Sequence, residues 1–318
     1  MPVITSRDHP LIKQLIRLEE SSQYRKKTGL TLLDGIHLIQ IYCSVLGAPE
    51  NLIVSQAYID DAENEHFLTI LFGHTPPKLT VVSNLLFREI SPVKTPSGIL
   101  ALITLPGLKK DVSNGKEMFS VLLETIQDPG NLGSILRSAA AANVKDVYLS
   151  KQCADAWSPK TLRAAMGAHF FLHIHEDSDL QKVAQQFSGT VVATSIQANR
   201  NLFEISLVGP TAFVFGNEGA GLSKEMIQAA DENIVIPMPG KTESLNAAAA
   251  AAICFLKRSA RTEHSRRQPL LEQNNRRCMI PHPSKQSLWS TYEIFFFISH
   301  RLDGMFVTQF RPSHGHSP

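Results

Sequence analysis

Gly240, Lys241 and Thr242 are the closing letters of a phosphate-binding loop, and they lead into a run of small helix-forming residues, Ala247 to Ala252. Triphosphate chemistry needs more than those three residues. The motif G-x-x-x-x-G-K-S/T depends on a first glycine that lets the backbone curl until successive N–H groups face the phosphates. Five residues before Gly240 stands Val235, a β-branched residue in the apolar run NIVIPM, which reads as a buried strand. A P-loop phosphohydrolase is therefore disfavoured, and the strand, turn and alanine-rich helix require another explanation.

Three segments in which a strand gives way to a helix carry the polar residues best placed for chemistry. In ETIQDPGNLGSILRSAAAANV, Asp128, Pro129 and Gly130 turn the chain, Asn131 is suited to cap the next helix, and Arg137 lies on that helix. In FVFGNEGAGLSKE, Gly216, Gly219 and Gly221 surround Asn217 and Glu218 immediately after a strand. Glycines at that density let backbone N–H groups approach a ligand closely. Their order is G-x-x-G-x-G, so the dinucleotide fingerprint G-x-G-x-x-G is not matched. In the third segment, Ser244 and Asn246 enter a helix of small residues that allows a neighbour to pack close. Taken singly, each has a plain structural reading: a capped helix with a solvated arginine, a glycine turn, and an alanine helix beside a tight neighbour.

The elements that must position these residues follow from periodicity. Residues 1–108 form a small mixed unit, with helical spacing in HPLIKQLIRLEES and IHLIQIYCSVLG and strands in GLTLLDG and NLIVS. PGLKKDVSNGKEM, rich in Gly, Lys, Asn and Asp, reads as a linker centred on 109–118. From 119 to 261 short apolar strands alternate with helices, the pattern of an α/β domain with a buried, largely parallel sheet. Such sheets bind ligands outside the carboxyl ends of their strands. The stretch 262–318 is polar and proline-containing apart from YEIFFFIS, and is expected to be a disordered extension.

Composition bounds the function. The chain has 318 residues, 43% hydrophobic and 19% charged, enough for two domains with real cores. Its formal net charge of +2 confines any nucleic-acid surface to a local patch. Cys43, Cys153, Cys254 and Cys278 form no C-x-x-C pair and no disulfide framework, which fits a reducing cytoplasm. No signal peptide or membrane-spanning run is evident, so a soluble cytoplasmic protein is expected. His173 and His175 alternate on one strand face without a further ligand set, and no metal is expected. Cys254 reads as a small buried residue rather than a nucleophile.

Together the three segments resemble the signature motifs of the SpoU/TrmH branch of the SPOUT methyltransferases, which transfer methyl from S-adenosylmethionine to a ribose 2′-hydroxyl of RNA. N-x-G-x-x-x-R, F-G-N-E-G-x-G-L and I-P-M-x-G-x-x-x-S-L-N occur in that order within 119–261. The resemblance implies a trefoil-knotted α/β catalytic domain and a homodimer with its site built across the two-fold interface. The front part resembles the ribosomal-protein-like substrate-binding domain that many members carry. Such a domain grips structured RNA through shape and phosphates, with Arg7, Lys13, Arg17, Arg25, Lys26 and Lys27 as candidate contacts.

The family pattern assigns roles residue by residue. Gly216, Asn217, Gly219, Ile236, Pro237, Met238, Leu245 and Asn246 are implied to hold the donor, and Asn131, Arg137, Glu218, Ser244 and Asn246 to form the catalytic set. A guanidinium with a pKa above about 12 is a poor general base, so Arg137 is read as polarising the 2′-hydroxyl or holding the adjacent phosphate. Glu218 is the expected partner that orients it. The front domain favours ribosomal over transfer RNA. The rival readings are a transfer-RNA 2′-O-methyltransferase and a non-catalytic RNA-binding protein on the same scaffold. Loss of Asn131, Arg137, Ser244 or Asn246 would favour the latter, and all four are present.

Overall fold

Alternating strands and helices build two sheets in the computed structural model, which describes residues 2–73, 77–107 and 119–260. The expected linker at 109–118 and the extension at 262–318 lie outside the described residues. In the front part the elements are β1 (Val3–Ile4), α1 (Pro10–Glu20), α2 (Ser22–Thr28), β2 (Leu30–Asp34), α3 (Ile36–Leu46), β3 (Asn51–Ser55), α4 (Gln56–Ile59), α5 (Ala62–Phe72), β4 (Lys78–Val82), α6 (Asn84–Ile90) and β5 (Ile99–Thr104). Its five strands run in the order β1-β4-β3-β5-β2, with β5 antiparallel to both neighbours. Helix α1 opens with Pro10 in its first turn and the His9 ring accepting from the Leu11 N–H. Ile12, Leu15 and Leu18 recur every third residue on one face, and all three pack into the core with Leu32, Ile53 and Phe87.

The second part contains β6 (Phe119–Leu123), α7 (Pro129–Ala141), β7 (Asp146–Leu149), α8 (Pro159–Ala165), a 3-10 turn (Ala168–Phe171), β8 (His173–His175), α9 (Leu180–Gln186), β9 (Thr190–Thr194), β10 (Arg200–Asn201), β11 (Thr211–Phe215), α10 (Lys224–Ala229) and β12 (Glu232–Val235). A last helix, α11, is described over 247–260. The sheet order is β10-β12-β9-β11-β6-β7-β8, and every pairing is parallel. The continuous apolar runs have their reason here: all five residues of β6 and all five of β11 are buried, because helices cover both faces. From β6 the chain winds outward through β7 and β8, then returns to build the other side from β9. The β6–β11 neighbourhood is thus the switch point of the sheet.

The two parts are packed into one unit, Met1–Ser265. Leu162 of α8 shares an apolar cluster with Leu33, Leu38 and Ile39, and Phe170 meets Tyr42 edge-on at 5.3 Å. Gly167 is required at this seam, since a Cβ there would lie 2.7 Å from the Ile41 side chain and its φ is +84°. Arg25 is 4% exposed; its guanidinium donates to the Leu18 carbonyl at 2.5 Å, the Glu19 carbonyl at 3.0 Å and the Asp155 carboxylate at 2.9 and 2.5 Å. Removing one partner of such a buried pair costs about 3–5 kcal/mol, because the other charge stays behind. Lys26 pairs with Asp177 at 2.8 Å, Thr31 donates to the Trp157 carbonyl at 2.7 Å, and Arg163 pairs with the buried Asp34. Arg25 is therefore a seam residue and not the exposed RNA contact expected from sequence, while Lys26 makes an exposed pair with Asp177. Arg7 and Lys13 carry only exposed pairs, with Glu89 and Asp8, which contribute little.

The 3-10 turn buries His169 beside Trp157, with Nε2 2.7 Å from the Ala156 carbonyl, so this nitrogen carries the proton. Burial pushes the His169 pKa down to about 4, against the opposing effects of that carbonyl and the Asp155 charge. In an unfolded chain histidine titrates near 6.5, so in the window from about 6.5 down to about 4 the unfolded state binds a proton that the folded state refuses. The stability this group contributes is complete above that window and is lost as pH falls through it. Between pH 6.5 and 5 the loss is about 2 kcal/mol. Scanning calorimetry at pH 7 and pH 5 should find a smaller drop in thermal midpoint for His169→Gln, whose amide still donates to Ala156 but does not titrate. Equal drops would refute this account of the acid sensitivity.

Candidate active site

Parallel strands end on one side of the sheet, and a cleft of about 450 Å³ opens where β9, β11 and β12 stop. Its walls are Thr194–Gln197 after β9, the glycine loop Gly216–Leu222 after β11, and Ile236, Met238, Ser244 and Leu245 on the segment between β12 and α11. The glycine loop folds back on itself: Asn217 N–H donates to the Gly221 carbonyl at 3.0 Å, and Gly221 N–H to the Asn217 carbonyl at 2.9 Å. A Cβ on Gly216 would sit 2.3 Å from the Gly221 carbonyl carbon and 2.5 Å from the Leu222 nitrogen, both backbone atoms that cannot swing away. Only glycine closes this turn. Asn217 Oδ1 accepts from the N–H groups of Gly219 and Ala220, each at 2.9 Å, which sets the tip of the loop.

The three motif segments meet through side-chain amides. Asp128, not Asn131, caps α7, its carboxylate accepting from the Asn131 N–H at 2.7 Å. The sequence expectation is corrected by one turn of helix. Asn131 lies in the first turn instead, and its side chain is released for other work. Asn131 Nδ2 donates to Glu218 Oε1 at 2.9 Å, and Asn131 Oδ1 accepts from Asn246 Nδ2 at 2.8 Å. Asn246 in turn caps α11, with Oδ1 accepting from the Ala248 N–H at 2.9 Å and the Ala249 N–H at 3.3 Å. An asparagine amide has both a donor and an acceptor end, which is what a central link between two loops requires.

Glu218 is consumed by this arrangement. Its partial burial acts to raise the carboxyl pKa, but hydrogen bonds from Asn131 and from backbone N–H groups, including those of Gln127 and Asp128, outweigh it and hold the group below the usual carboxylate range. The carboxylate is thus a fixed acceptor. Arg137 is not its partner, contrary to the sequence expectation. The guanidinium is exposed on α7 and does not line the cleft. Six residues of helix turn through about 600°, so Arg137 and Asn131 point about 120° apart.

Among the predicted site residues, Gly216, Asn217, Glu218, Gly219, Ile236, Met238, Ser244 and Leu245 line the cleft. Asn131 and Asn246 border it through the amide chain, and Pro237 is exposed on the same loop. The segment Thr194–Gln197 was not singled out by sequence, although the carboxyl end of an apolar strand, TVVATSIQ, is a place to look. Gly133 of the first motif serves packing: a Cβ there would lie 2.7 Å from the Thr161 carbonyl of α8. Gly240, Lys241 and Thr242 are exposed and precede α11 by several residues, so they form no phosphate cradle. His173 Nδ1 and His175 Nε2 both meet Asp146 Oδ1, at 3.3 and 3.1 Å, and no metal-ligand cluster occurs among the described residues. Burial raises the Cys254 thiol to about 12, which makes it the inert core residue its helix position implies.

A wholly parallel sheet with a cleft at the carboxyl ends of β9, β11 and β12, bordered through Asn131 by the segment after β6, defines a protein of the α/β class with its candidate site where such sheets bind ligands. Residues 118–256 match the SpoU rRNA Methylase family and residues 9–101 the MRM3-like substrate binding domain. The chain is 32% identical over 253 residues to an uncharacterized tRNA/rRNA methyltransferase of Synechocystis, covering 79% of this chain and 90% of that protein. It is 29% identical over 256 residues to the 23S rRNA (guanosine(2553)-2′-O)-methyltransferase RlmP of Bacillus subtilis, covering 80% and 97%. A solved RNA 2′-O ribose methyltransferase superposes with a TM-score of 0.70 at 26% identity, over 82% of this chain and 99% of that one. This chain belongs to the SpoU rRNA methylase family.

The amide chain makes a graded prediction. Asn131→Ala removes two side-chain hydrogen bonds at a partly exposed site and should cost about 1 kcal/mol. Asn131→Asp keeps the size but sets an anion against Glu218, so it should be the more destabilising of the two, by a further ~1 kcal/mol. Thermal midpoints of the two variants decide the order; an aspartate variant as stable as wild type would exclude the assigned bond.

Proposed function

We propose that this chain transfers a methyl group from S-adenosylmethionine to a ribose 2′-hydroxyl of ribosomal RNA. The observation that carries the reading is the Glu218–Asn131–Asn246 chain, which joins the three motif loops beside one cleft. The relatives support the RNA class, since those with specific names are ribosomal-RNA methyltransferases. The residues present fit the donor. The cleft is of the size that takes a nucleoside-bearing ligand, and the Gly216–Leu222 loop, turned back on itself where only glycine fits at 216, lines it. Gly216, Asn217, Gly219, Ile236, Pro237, Met238 and Leu245 would hold the donor, and Asn246 would fix the wall through Asn131.

S-adenosylmethionine supplies a methyl group activated by its sulfonium. The protein's contribution is positional: the glycine loop and the 236–246 segment orient the donor, and the ribose oxygen is held in line with it. Glu218, held as an acceptor by Asn131 and the Gln127 and Asp128 N–H groups, orients the loop; as the methyl's bond to sulfur gives way to a bond to the 2′-oxygen, S-adenosylhomocysteine would leave and the hydroxyl proton would pass to solvent water at the exposed cleft mouth. Arg137, a permanent cation, donates to the 2′-oxygen or the adjacent phosphate, and Ser244 at the cleft mouth helps to align the ribose. Because Arg137 does not line the cleft of its own chain, the reading includes a homodimer in which the second copy delivers it. The reading also includes the trefoil knot. In its favour, α11 returns after β12 to the middle of the sheet, where Phe255 packs on Phe119 and Phe215 at 5.7 Å each. A cytoplasmic setting accords with Cys43, Cys153 and Cys254 being free thiols.

Methyl transfer from labelled S-adenosylmethionine to unmodified ribosomal RNA, with the product ribose mapped, tests the reading. The expected result is one labelled ribose, and a loss on the order of 100-fold or more for Arg137→Ala with donor binding retained. Label confined to transfer RNA, or absent from all RNA fractions, would overturn it. Mixing Arg137→Ala subunits with Gly216→Val subunits should restore activity, because one cleft then meets an intact arginine; failure of mixed dimers to recover any would place Arg137 in cis.

A further inference from the structure

Thr125 has a positive φ of +57°, in the left-handed region, as do Asn143, Met166 and Asp177 among the non-glycine residues. Of these only Thr125 is β-branched, which makes it the most strained of the set. It stands between β6 and α7, and three contacts hold it in that conformation. Its N–H donates to Ser150 Oγ at 2.9 Å, its hydroxyl donates to Gln152 Oε1 at 3.2 Å, and its carbonyl accepts from Asn217 Nδ2 at 2.9 Å. The third contact leads to the cleft. Asn217 spends its other side-chain atom on the N–H groups of Gly219 and Ala220, so the loop tip is referenced, through Asn217, to the direction of the Thr125 carbonyl. Glu124 reinforces the connection from the preceding position, accepting from the Ser223 N–H at 2.8 Å and its hydroxyl at 2.7 Å, just beyond the same loop.

We infer that Thr125 and Ser150 are positioning residues for the donor loop: Ser150, from the end of β7, holds Thr125 left-handed, and the carbonyl so aimed fixes Asn217 and with it Gly219 and Ala220. The inference rests on the proposed donor-binding role of that loop, but its mechanical part stands without it. Without Ser150 a β-branched residue relaxes toward negative φ, and its carbonyl swings away from Asn217. A glycine at 125 adopts positive φ unaided and no longer needs Ser150. The two substitutions should therefore offset each other, a behaviour that mere loss of fold stability does not produce.

The test compares wild type, Ser150→Ala, Thr125→Gly and the double variant by two readouts: hydrogen exchange at the Gly219 and Ala220 amides, and calorimetric binding of S-adenosylhomocysteine, the demethylated donor. Ser150→Ala should speed exchange at both amides about tenfold and weaken binding about 5- to 20-fold. The double variant should return both quantities to within about twofold of Thr125→Gly alone. Unchanged exchange in Ser150→Ala, or a double variant as impaired as Ser150→Ala, would overturn the inference. Exchange that follows the predicted pattern while wild type binds no S-adenosylhomocysteine would preserve the mechanical link and reject the donor reading on which its function rests.

Discussion

One asparagine side chain holds the site together. Asn131 receives a hydrogen bond from Asn246 and gives one to Glu218, and those three residues come from the three loops that leave β12, β11 and β6. A parallel sheet places such loops side by side, and side-chain links set their mutual distance. Asn131 ties the β12 segment to the other two, and it shares the link between the β6 and β11 loops with the Asn217–Thr125 and Ser223–Glu124 hydrogen bonds. It works because Asp128 has taken over the capping of α7, which leaves Asn131 with both ends of its side chain available. Asn246 carries the same economy, capping α11 with its oxygen while its nitrogen reaches Asn131.

The rest of the fold serves this junction. Phe119, Phe213, Phe215 and Phe255 interlock at centroid distances of 5.7 to 6.3 Å, anchoring α11 against the centre of the sheet so that its capped end returns to the cleft. Close approach of α8 to α7 at Gly133 fixes the helix that carries Asn131. The front part is fastened to the same region through α8 and the loop before it: Arg25 on Asp155, Arg163 on Asp34, and Leu162 among the front part's apolar residues. A substrate held by the front part would thus be presented at a set position relative to α7 instead of on a swinging arm.

Much of the architecture was legible in the sequence because it follows from periodicity. Buried apolar runs such as FSVLL and TAFVF read directly as central parallel strands, whereas the glycine at 216, read from sequence as letting the backbone approach a ligand, is required here to close its own turn against Gly221 and Leu222. The pairings were less legible. Charge complementarity argues for Glu218 with Arg137, yet helix phase turns Arg137 away and an uncharged amide takes the carboxylate. Arg25 looks like one of three consecutive exposed cations, and only the tertiary seam shows it to be buried. Thr125 carries no sequence mark at all, since a left-handed threonine is imposed by Ser150 and Asn217 from distant segments. In each case the deciding partner lies more than twenty residues away or depends on helix phase, which local pattern does not encode.

The central claim, that Asn131 couples the loops of Glu218 and Asn246, is tested most directly by a double-mutant cycle on those two outer residues, which do not touch each other. Donor affinity would be measured by calorimetry for Glu218→Ala, Asn246→Ala and the pair. The account predicts that the second substitution costs much less than the first, a coupling of about 1 kcal/mol or more transmitted through Asn131. Effects that add to within about 0.3–0.5 kcal/mol would contradict it, because independent loops would then be bound to the donor without the link between them.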